Sequence, residues 1–260
     1  MSQHFVVIDA LNLIRRIYAV QQQRSPRDSL SQSTQQALSS ACKRIVSSLQ
    51  PSHIVAVFDG ERSAWREQLY PQYKQNRSPM PELLAEQLET LKDQLLDMGI
   101  DSIFAANEEA DDICATLASK AIAANYPVTI ISTDQGYYSL LSAGVGLYDY
   151  FRREYISIEQ VEEKFGIAIK QLNDYWALVG INGVNVAGVP GIGKKSAQTL
   201  LKNYPDTQAI LDDNSTNNKL ASKVQAHANE LQLAHKLLSL RTDLKLGFSL
   251  KLLRYNPKAC

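Results

Sequence analysis

Four short runs of apolar, largely β-branched residues set the rhythm of the first 150 positions: Phe5–Ile8, His53–Phe58, Val128–Ser132 and Val145–Tyr148. Each is apolar at consecutive rather than alternate positions, the pattern of a strand covered on both faces. A weaker run, Asp101–Phe104, predicts a fifth strand. Helical periodicity fills the gaps over Ala10–Val20, Thr34–Leu49, Pro81–Met98 and Glu109–Asn125. Strands alternating with helices of this length predict an α/β fold: a parallel-rich central sheet with helices on both faces. A polar loop is expected from about Gln21 to Gln32.

Two departures from the rhythm organise the rest. The segment 60–81 is polar, aromatic and basic, closes on Pro79 and Pro81, and is too long for an ordinary strand–helix connection, which marks it as a functional loop. After about residue 155 the strand signal fades. Residues 158–240 read as mostly helical, with a glycine-rich interruption at Gly180–Gly193 and a long helical stretch over Ser215–Leu240; residues 241–260 carry no clear pattern. The expected division is an α/β core over 1–155 that includes the insert at 60–81, followed by a helical region over 156–260.

Composition narrows the chemistry. Lys plus Arg total 27 and Asp plus Glu total 27, so any nucleic-acid surface must arise from charge separation rather than from net charge. Cys42, Cys114 and Cys260 are odd in number and far apart, which reads as reduced thiols of a cytoplasmic protein, not as a disulfide framework or a zinc site. Neither a signal peptide nor an 18-residue apolar span is visible. The four histidines have no metal-ligand spacing, and no G-x-S-x-G or Walker A string occurs. A monomer without an obligate protein partner is expected.

Acids fall where a parallel sheet concentrates chemistry. Asp9, Asp59, Asp134 and Asp149 each stand at or just past a predicted strand end, and Glu108, Glu109, Asp111 and Asp112 open a predicted helix. Sites in open α/β sheets lie beyond the carboxyl ends of the strands. Carboxylates gathered there repel one another unless a cation neutralises them, and an all-oxygen ligand set suits Mg²⁺ or Mn²⁺. Such ions serve phosphodiester hydrolysis.

Two further motifs point to a nucleic-acid backbone. Gly188-Val-Pro-Gly-Ile-Gly-Lys-Lys-Ser-Ala197 joins two helical patterns, so that exposed backbone N–H groups of Gly191, Ile192 and Gly193 meet a helix N-terminus beside Lys194, Lys195 and Ser196. That arrangement favours a phosphate and reads no base sequence. Trp65 to Arg77 interleaves aromatic and basic residues; Arg66, Tyr70, Lys74 and Arg77 share a face if the segment is helical, and would grip phosphates while an aromatic stacks on an unpaired base.

Taken in order, Val7–Arg16, Val57-Phe-Asp59, Tyr70-Pro-Gln-Tyr-Lys-Gln-Asn-Arg77, Glu109-Ala-Asp-Asp112 and the string 188–197 resemble the 5′-nuclease (flap endonuclease) family, over roughly residues 5–200, and in particular its small stand-alone bacterial members. The resemblance implies a helical arch at 60–81 and a helix–hairpin–helix motif in the C-terminal part. It implies cleavage of 5′-flap or other branched DNA in replication or repair. It assigns Asp9, Asp59, Glu109, Asp111, Asp112 and Asp134 to a first Mg²⁺ site, Lys74 and Arg77 to the scissile phosphate, and Tyr73 to base stacking. K⁺ would be held by the carbonyls of Leu178, Val179, Ala187, Val189 and Ile192. The chain departs from the family pattern at Gly136, Ile181 and Val184, where a second metal site usually has carboxylates. Three readings follow: a Mg²⁺-dependent flap endonuclease or 5′–3′ exonuclease, a DNA-structure binder of weak catalysis on the same fold, and a PIN-type ribonuclease.

Overall fold

The computed structural model describes residues 3–60, 63–215 and 218–256. Cys260 therefore lies outside the described residues. The N-terminal half runs β1 (Phe5–Asp9), α1 (Ala10–Arg24), α2 (Leu30–Leu49), β2 (His53–Val57), α3 (Ala64–Leu69), α4 (Glu82–Glu86), α5 (Leu88–Asp97), β3 (Asp101–Ile103), α6 (Ala110–Ala123), β4 (Val128–Ile131), β5 (Gly146–Asp149) and β6 (Glu154–Tyr155). The C-terminal part holds α7 (Ile158–Phe165), α8 (Leu172–Val179), the two-residue strands β7 (Gly180–Ile181) and β8 (Val186–Ala187), then α9 (Lys194–Asn203), α10 (Thr207–Leu211), α11 (Lys219–Ala226) and α12 (Ala228–Leu238).

All five residues of β1 are buried, as the unbroken apolar run predicts for a central strand. The sheet order is β3-β2-β1-β4-β5-β6, parallel throughout except for the short antiparallel edge β6. Alternate side chains enter two cores. Phe5, Val7, Val55, Val57 and Ile130 pack with α6 and the C-terminal helices; Val6, Ile8, Ile54, Ala56 and Ile131 pack with α1, α2 and α5. Cys42 and Cys114 are buried free thiols, one in each core. Because β2 and β3 lie on one side of β1 while β4 and β5 lie on the other, the connection direction reverses between β1 and β4. The crevice beyond the ends of those two strands is where such a sheet binds its ligand.

Several predicted boundaries move. The loop expected over 21–32 shrinks, because α1 continues to Arg24 and α2 starts at Leu30. The described part of the helical stretch expected over 215–240 is two helices that break at His227, and 81–98 is two helices that break at Gln87. The unassigned tail is a strap: Leu244 and Leu253 are buried, and Arg254 bridges back to His53 on β2. The largest change concerns 60–81. Its helix stops at Leu69, because Tyr70 precedes Pro71 and is held extended, and residues 71–76 form tight turns. Arg66, Tyr70, Lys74 and Arg77 therefore do not share a helical face. Lys74 sits at a φ of 53°, a strained conformation for a residue with a side chain. Its backbone N–H donates to Val184 O (2.9 Å), and Asn185 Nδ2 donates to Gln72 O (2.8 Å), which ties this limb to the β7–β8 hairpin.

Candidate active site

The crevice beyond β1 and β4 is a cleft of ≈ 820 Å³ lined by Asp9, Asp59, Glu109, Asp111 and Asp134 together with Lys74 and Arg77. Asp9 ends β1 and caps α1, accepting from Asn12 N (3.3 Å) on Oδ1 and from Ser132 Oγ (2.9 Å) on Oδ2. Ser132 Oγ also accepts from Asp134 N (3.0 Å), and Asn12 Oδ1 accepts from Thr133 N and Oγ1 (3.1 and 3.0 Å). The end of β1 and the loop after β4 are thus locked together. Asp59 Oδ1 accepts from Ala110 N (3.0 Å) at the start of α6, so an acid from β2 caps the helix that carries Asp111. Tyr137 OH donates to Asp111 Oδ1 (2.9 Å), and Gly136 N donates to Asp134 Oδ1 (2.8 Å).

This grouping is electrostatically unfavourable without a cation. Burial, reinforced by Asp59 and Asp134, pushes the Asp9 carboxyl up to about 7 against the weaker opposing pull of Ser132 and Asn12. Burial also raises Asp111; Lys74 opposes the shift, while Asp134, Asp9 and Glu109 add to it. Among the described residues no three or more candidate ligands stand as a ready-made metal cluster. Even so, Asp9 and Asp111 resist ionisation for want of positive charge, and with the oxygens of Asp59 and Asp134 beside them they offer the all-oxygen donor set that a hard divalent ion neutralises.

Asp112 departs from the expectation. It is fully buried, does not line the cleft, and spends both oxygens on protein donors: Arg66 Nη1 and Nη2 (2.6 and 2.9 Å) and Arg241 N (2.9 Å). A side chain at the third helical position of α6, one residue after Asp111, points about 100° away from its neighbour, so the two cannot face the same space. Glu109 borders the cleft but is also engaged, accepting from Arg66 Nη1 (2.7 Å), Tyr73 OH (3.1 Å) and Lys74 Nζ (2.5 Å).

Arg66 and Tyr73, expected to meet DNA, are held by protein partners at the edge of the cleft. Arg66 is 2 % exposed: besides its two carboxylates it donates through Nε to Leu237 O (2.9 Å) and through Nη2 to Ser239 O (3.1 Å), with the Trp65 ring 4.3 Å from its Cζ. Burial lowers its proton affinity, and Asp112 and Glu109 more than reverse that. It is an internal counter-ion that joins α3, α6 and the end of α12. Tyr73 borders the cleft but is largely buried against the same cluster, its OH on Glu109. Asp149 does turn duty, accepting from Phe151 N (2.8 Å) and Arg152 N (3.1 Å). Lys74 Nζ pairs with Glu109, and the side chain of Arg77 is 45 % exposed with Nη2 3.6 Å from Asp59 Oδ2.

Sequence reasoning missed Arg66 as a counter-ion, Ser132 and Asn12 as supports of Asp9, and Tyr137. Of these only Asn12 had a signal, its place three residues after Asp9 at a helix start.

The helix–hairpin–helix is formed by α8, the β7–β8 hairpin and α9. Its backbones pack so closely that a Cβ on Gly188 would meet Val179 C at 2.3 Å and Leu178 O at 2.4 Å. The N-cap of α9 is Gly193, which has no side-chain cap, so the first N–H groups of the helix face outward beside exposed Lys194 and Lys195 and half-buried Ser196. Exposed Gly191 leads into it at a φ of 74°, while the side chain of Ile192 is buried. Leu178 O accepts from Val189 N (2.9 Å), Val189 O accepts from Ile192 N (3.0 Å), and Ala187 pairs with Gly180 beside Val179, so the five carbonyl-bearing residues gather around one turn. Lys194 lines the same cleft as the acids. Gly136, Ile181 and Val184 line it too, and give that wall no charge.

A doubly wound sheet with acids at its switch point and a helix–hairpin–helix beside them defines a class, and the comparisons agree. Residues 4–166 match the 5′-3′ exonuclease N-terminal resolvase-like domain, and residues 167–259 match the 5′-3′ exonuclease C-terminal SAM fold. The chain belongs to the 5′–3′ exonuclease family, whose members are nucleases. Within it, the chain is 44 % identical to flap endonuclease Xni of Psychromonas ingrahamii, over 98 % of each protein, and 43 % identical to flap endonuclease Xni of Tolumonas auensis, over 98 % of this chain and 99 % of that one. Among solved structures, the bacteriophage T5 D15 protein co-crystallised with metal ions superposes with a TM-score of 0.75 at 24 % identity, covering 92 % of this chain and 90 % of that one. The catalytic core of Rad2 in complex with DNA substrate gives 0.55 at 13 %, covering 94 % and 81 %. At these identities the likeness carries the fold alone. No helix among the described residues is long and apolar enough to cross a membrane.

Proposed function

We propose that this protein hydrolyses phosphodiester bonds at the base of 5′ flaps in branched DNA, through one divalent metal ion that Asp9, Asp59, Asp111 and Asp134 would draw together to hold. The observation that carries the reading is the gathering of these acids at one sheet edge, in a cleft that also holds Lys74, Arg77 and Lys194. Held there, Mg²⁺ or Mn²⁺ would polarise a phosphoryl oxygen and make its water a stronger nucleophile.

The chain's own residues do the rest. Asp9 and Asp111, whose carboxyls resist ionisation in isolation, give up their protons when positive charge is supplied. Burial lowers the proton affinity of Lys74, and Asp111 and Glu109 more than restore it, so its ammonium stays charged and can offset charge developing on the phosphate. Arg77 is free enough to reach a phosphate oxygen. Gly193, Lys194, Lys195 and Ser196 grip the duplex backbone at the start of α9, which supports a preference for duplex beside a flap rather than for any base sequence. K⁺ between the carbonyls around Val189 and a phosphate would complete that grip. Glu109 shares its carboxylate with Lys74, Arg66 and Tyr73 and acts mainly by orienting them. In this reading residues 1–155 carry the chemistry and 156–260 the grip on duplex.

A second reading keeps the binding and weakens the chemistry. The observation that favours it is the uncharged wall of Gly136, Ile181 and Val184, which offers no ligands for a second ion. Cleavage of a labelled 5′-flap duplex in Mg²⁺ and K⁺, wild type beside Asp111→Asn, decides between the two. We expect cutting near the junction by the wild type and at least a 100-fold slower reaction in the variant, on the order of the loss of one transition-state charge contact. Flap binding without cleavage by either protein would establish the second reading.

A further inference from the structure

Among the cations that line the cleft and that the site described above does not use, Arg16 and Lys164 are stacked on aromatic rings, whereas Arg15 is not. Arg15 lies on α1 six residues after Asp9, and lines the cleft with Asp9, Asn12, Asp59 and Arg77. Its Nε is buried and has no hydrogen-bond partner, and among the described residues Arg15 forms no salt bridge. The neighbouring Arg16 is accounted for, with its guanidinium stacked 4.4 Å from the centre of the Phe151 ring. Burial, then the adjacent Arg77, lowers the proton affinity of Arg15, while Asp59 raises it, so these two charges are its electrostatic neighbours.

Two guanidinium groups close enough to repel, one with a buried N–H facing no acceptor, form an arrangement completed by an anion. Asp59 stands near both, with its Oδ2 3.6 Å from Arg77. A phosphodiester has two non-bridging oxygens and one negative charge, which suits a pair of planar, always-charged forks. We propose that Arg15 and Arg77 together grip one DNA phosphate at the flap base, next to the acid cluster. The proposal rests on the flap-nuclease reading and adds a phosphate-binding residue from a different element, α1 rather than the 60–81 segment. Because Asp9 caps the start of α1, the grip would fix the distance between that phosphate and the acids through one helix.

The test is equilibrium binding of a labelled 5′-flap duplex over a salt series, for wild type, Arg15→Gln and Arg15→Lys. It is repeated on duplexes in which single phosphates at the flap base are replaced by neutral methylphosphonate. Arg15→Gln is expected to bind about five- to tenfold more weakly, with a log–log salt slope shallower by about 1, and Arg15→Lys to fall between. One methylphosphonate position should weaken the wild type by a similar factor and leave Arg15→Gln unaffected. The melting temperature of Arg15→Gln should not fall below that of the wild type, since the half-buried side chain makes no ion pair and its Nε no hydrogen bond within the protein; an arginine that merely supports the fold would lower it. Affinity of Arg15→Gln within twofold of wild type would overturn the proposal, as would a loss that every methylphosphonate position compounds equally. A wild type that fails to bind the flap duplex at all would remove the flap-nuclease reading itself, and this inference with it.

Discussion

Replacing Arg66 with methionine removes the charge that holds three elements together and leaves its partners in place. The guanidinium makes five hydrogen bonds to Leu237 O, Ser239 O, Glu109 and Asp112. Of these, Asp112 has no access to solvent and would keep only Trp65 Nε1 at 3.4 Å and Arg241 N as donors. Breaking one side of a buried pair costs about 3–5 kcal/mol, because the surviving charge stays desolvated. In a chain of this size roughly 2–4 °C of melting temperature accompanies each kcal/mol, so the loss should be on the order of 10 °C. Thermal unfolding followed by circular dichroism, and urea titration, would measure it. The diagnostic comparison is Arg66→Met with Asp112→Leu, which removes the stranded charge as well and should recover at least half of the loss. A drop below about 1 kcal/mol in the single variant, or a double variant no better than the single, would refute the counter-ion assignment. A surface arginine that contacts DNA would lower affinity and leave stability unchanged.

Two further outcomes follow from the site. Lys195→Ala should weaken duplex binding about three- to tenfold and make its salt dependence shallower by about one ion, while Mg²⁺ binding is unchanged; unaltered duplex affinity would remove the clamp. Asp9 has a folded-state pKa of about 7 against an ordinary 3.8, so the folded protein holds a proton that the unfolded chain releases between those values. Its favourable contribution is therefore present below about pH 4 and lost as pH rises through about 7. Metal-free protein should melt at lower temperature at pH 8 than at pH 5, Asp9→Asn should flatten that decline, and Mg²⁺ should stabilise most at pH 8. A decline of the same size in Asp9→Asn would show that other groups cause it.

The strands were legible because a strand buried on both faces needs consecutive apolar β-branched residues, and Phe5–Ile8 or Val128–Ser132 has few other uses. The strand-end acids were legible for a related reason: parallel strands all point their carboxyl ends to one edge, so Asp9, Asp59 and Asp134 had to meet once the strands were placed. What composition hides is the partner of each charge. Arg66 lies in a string of aromatic and basic residues that looks like a surface for phosphate, yet its acceptors include carbonyls 171 and 173 positions away. Nothing local separates a buried arginine with distant partners from an exposed one. Asp111 and Asp112 are adjacent in sequence and differ in surroundings for the same reason: helix geometry turns one to the cleft and the other to the interior. The arch failed as a helix at Pro71, a signal present in the sequence but outweighed by the regular spacing of its basic residues.

The β1–β4 pairing, by which Phe5 meets Val128, also bears on how the protein is made. Strands so far apart in the chain pair only after a long loop has closed, and such closures come slowly. Asp9 and Asp134 can share a cleft only once that pairing exists, and the cage around Arg66 closes only when residues 237–241 have arrived. A ribosome-bound chain would therefore carry its acids and its basic hairpin while still lacking the enzyme. The cleft would take its full form only after residues 237–241 have joined α3 and α6.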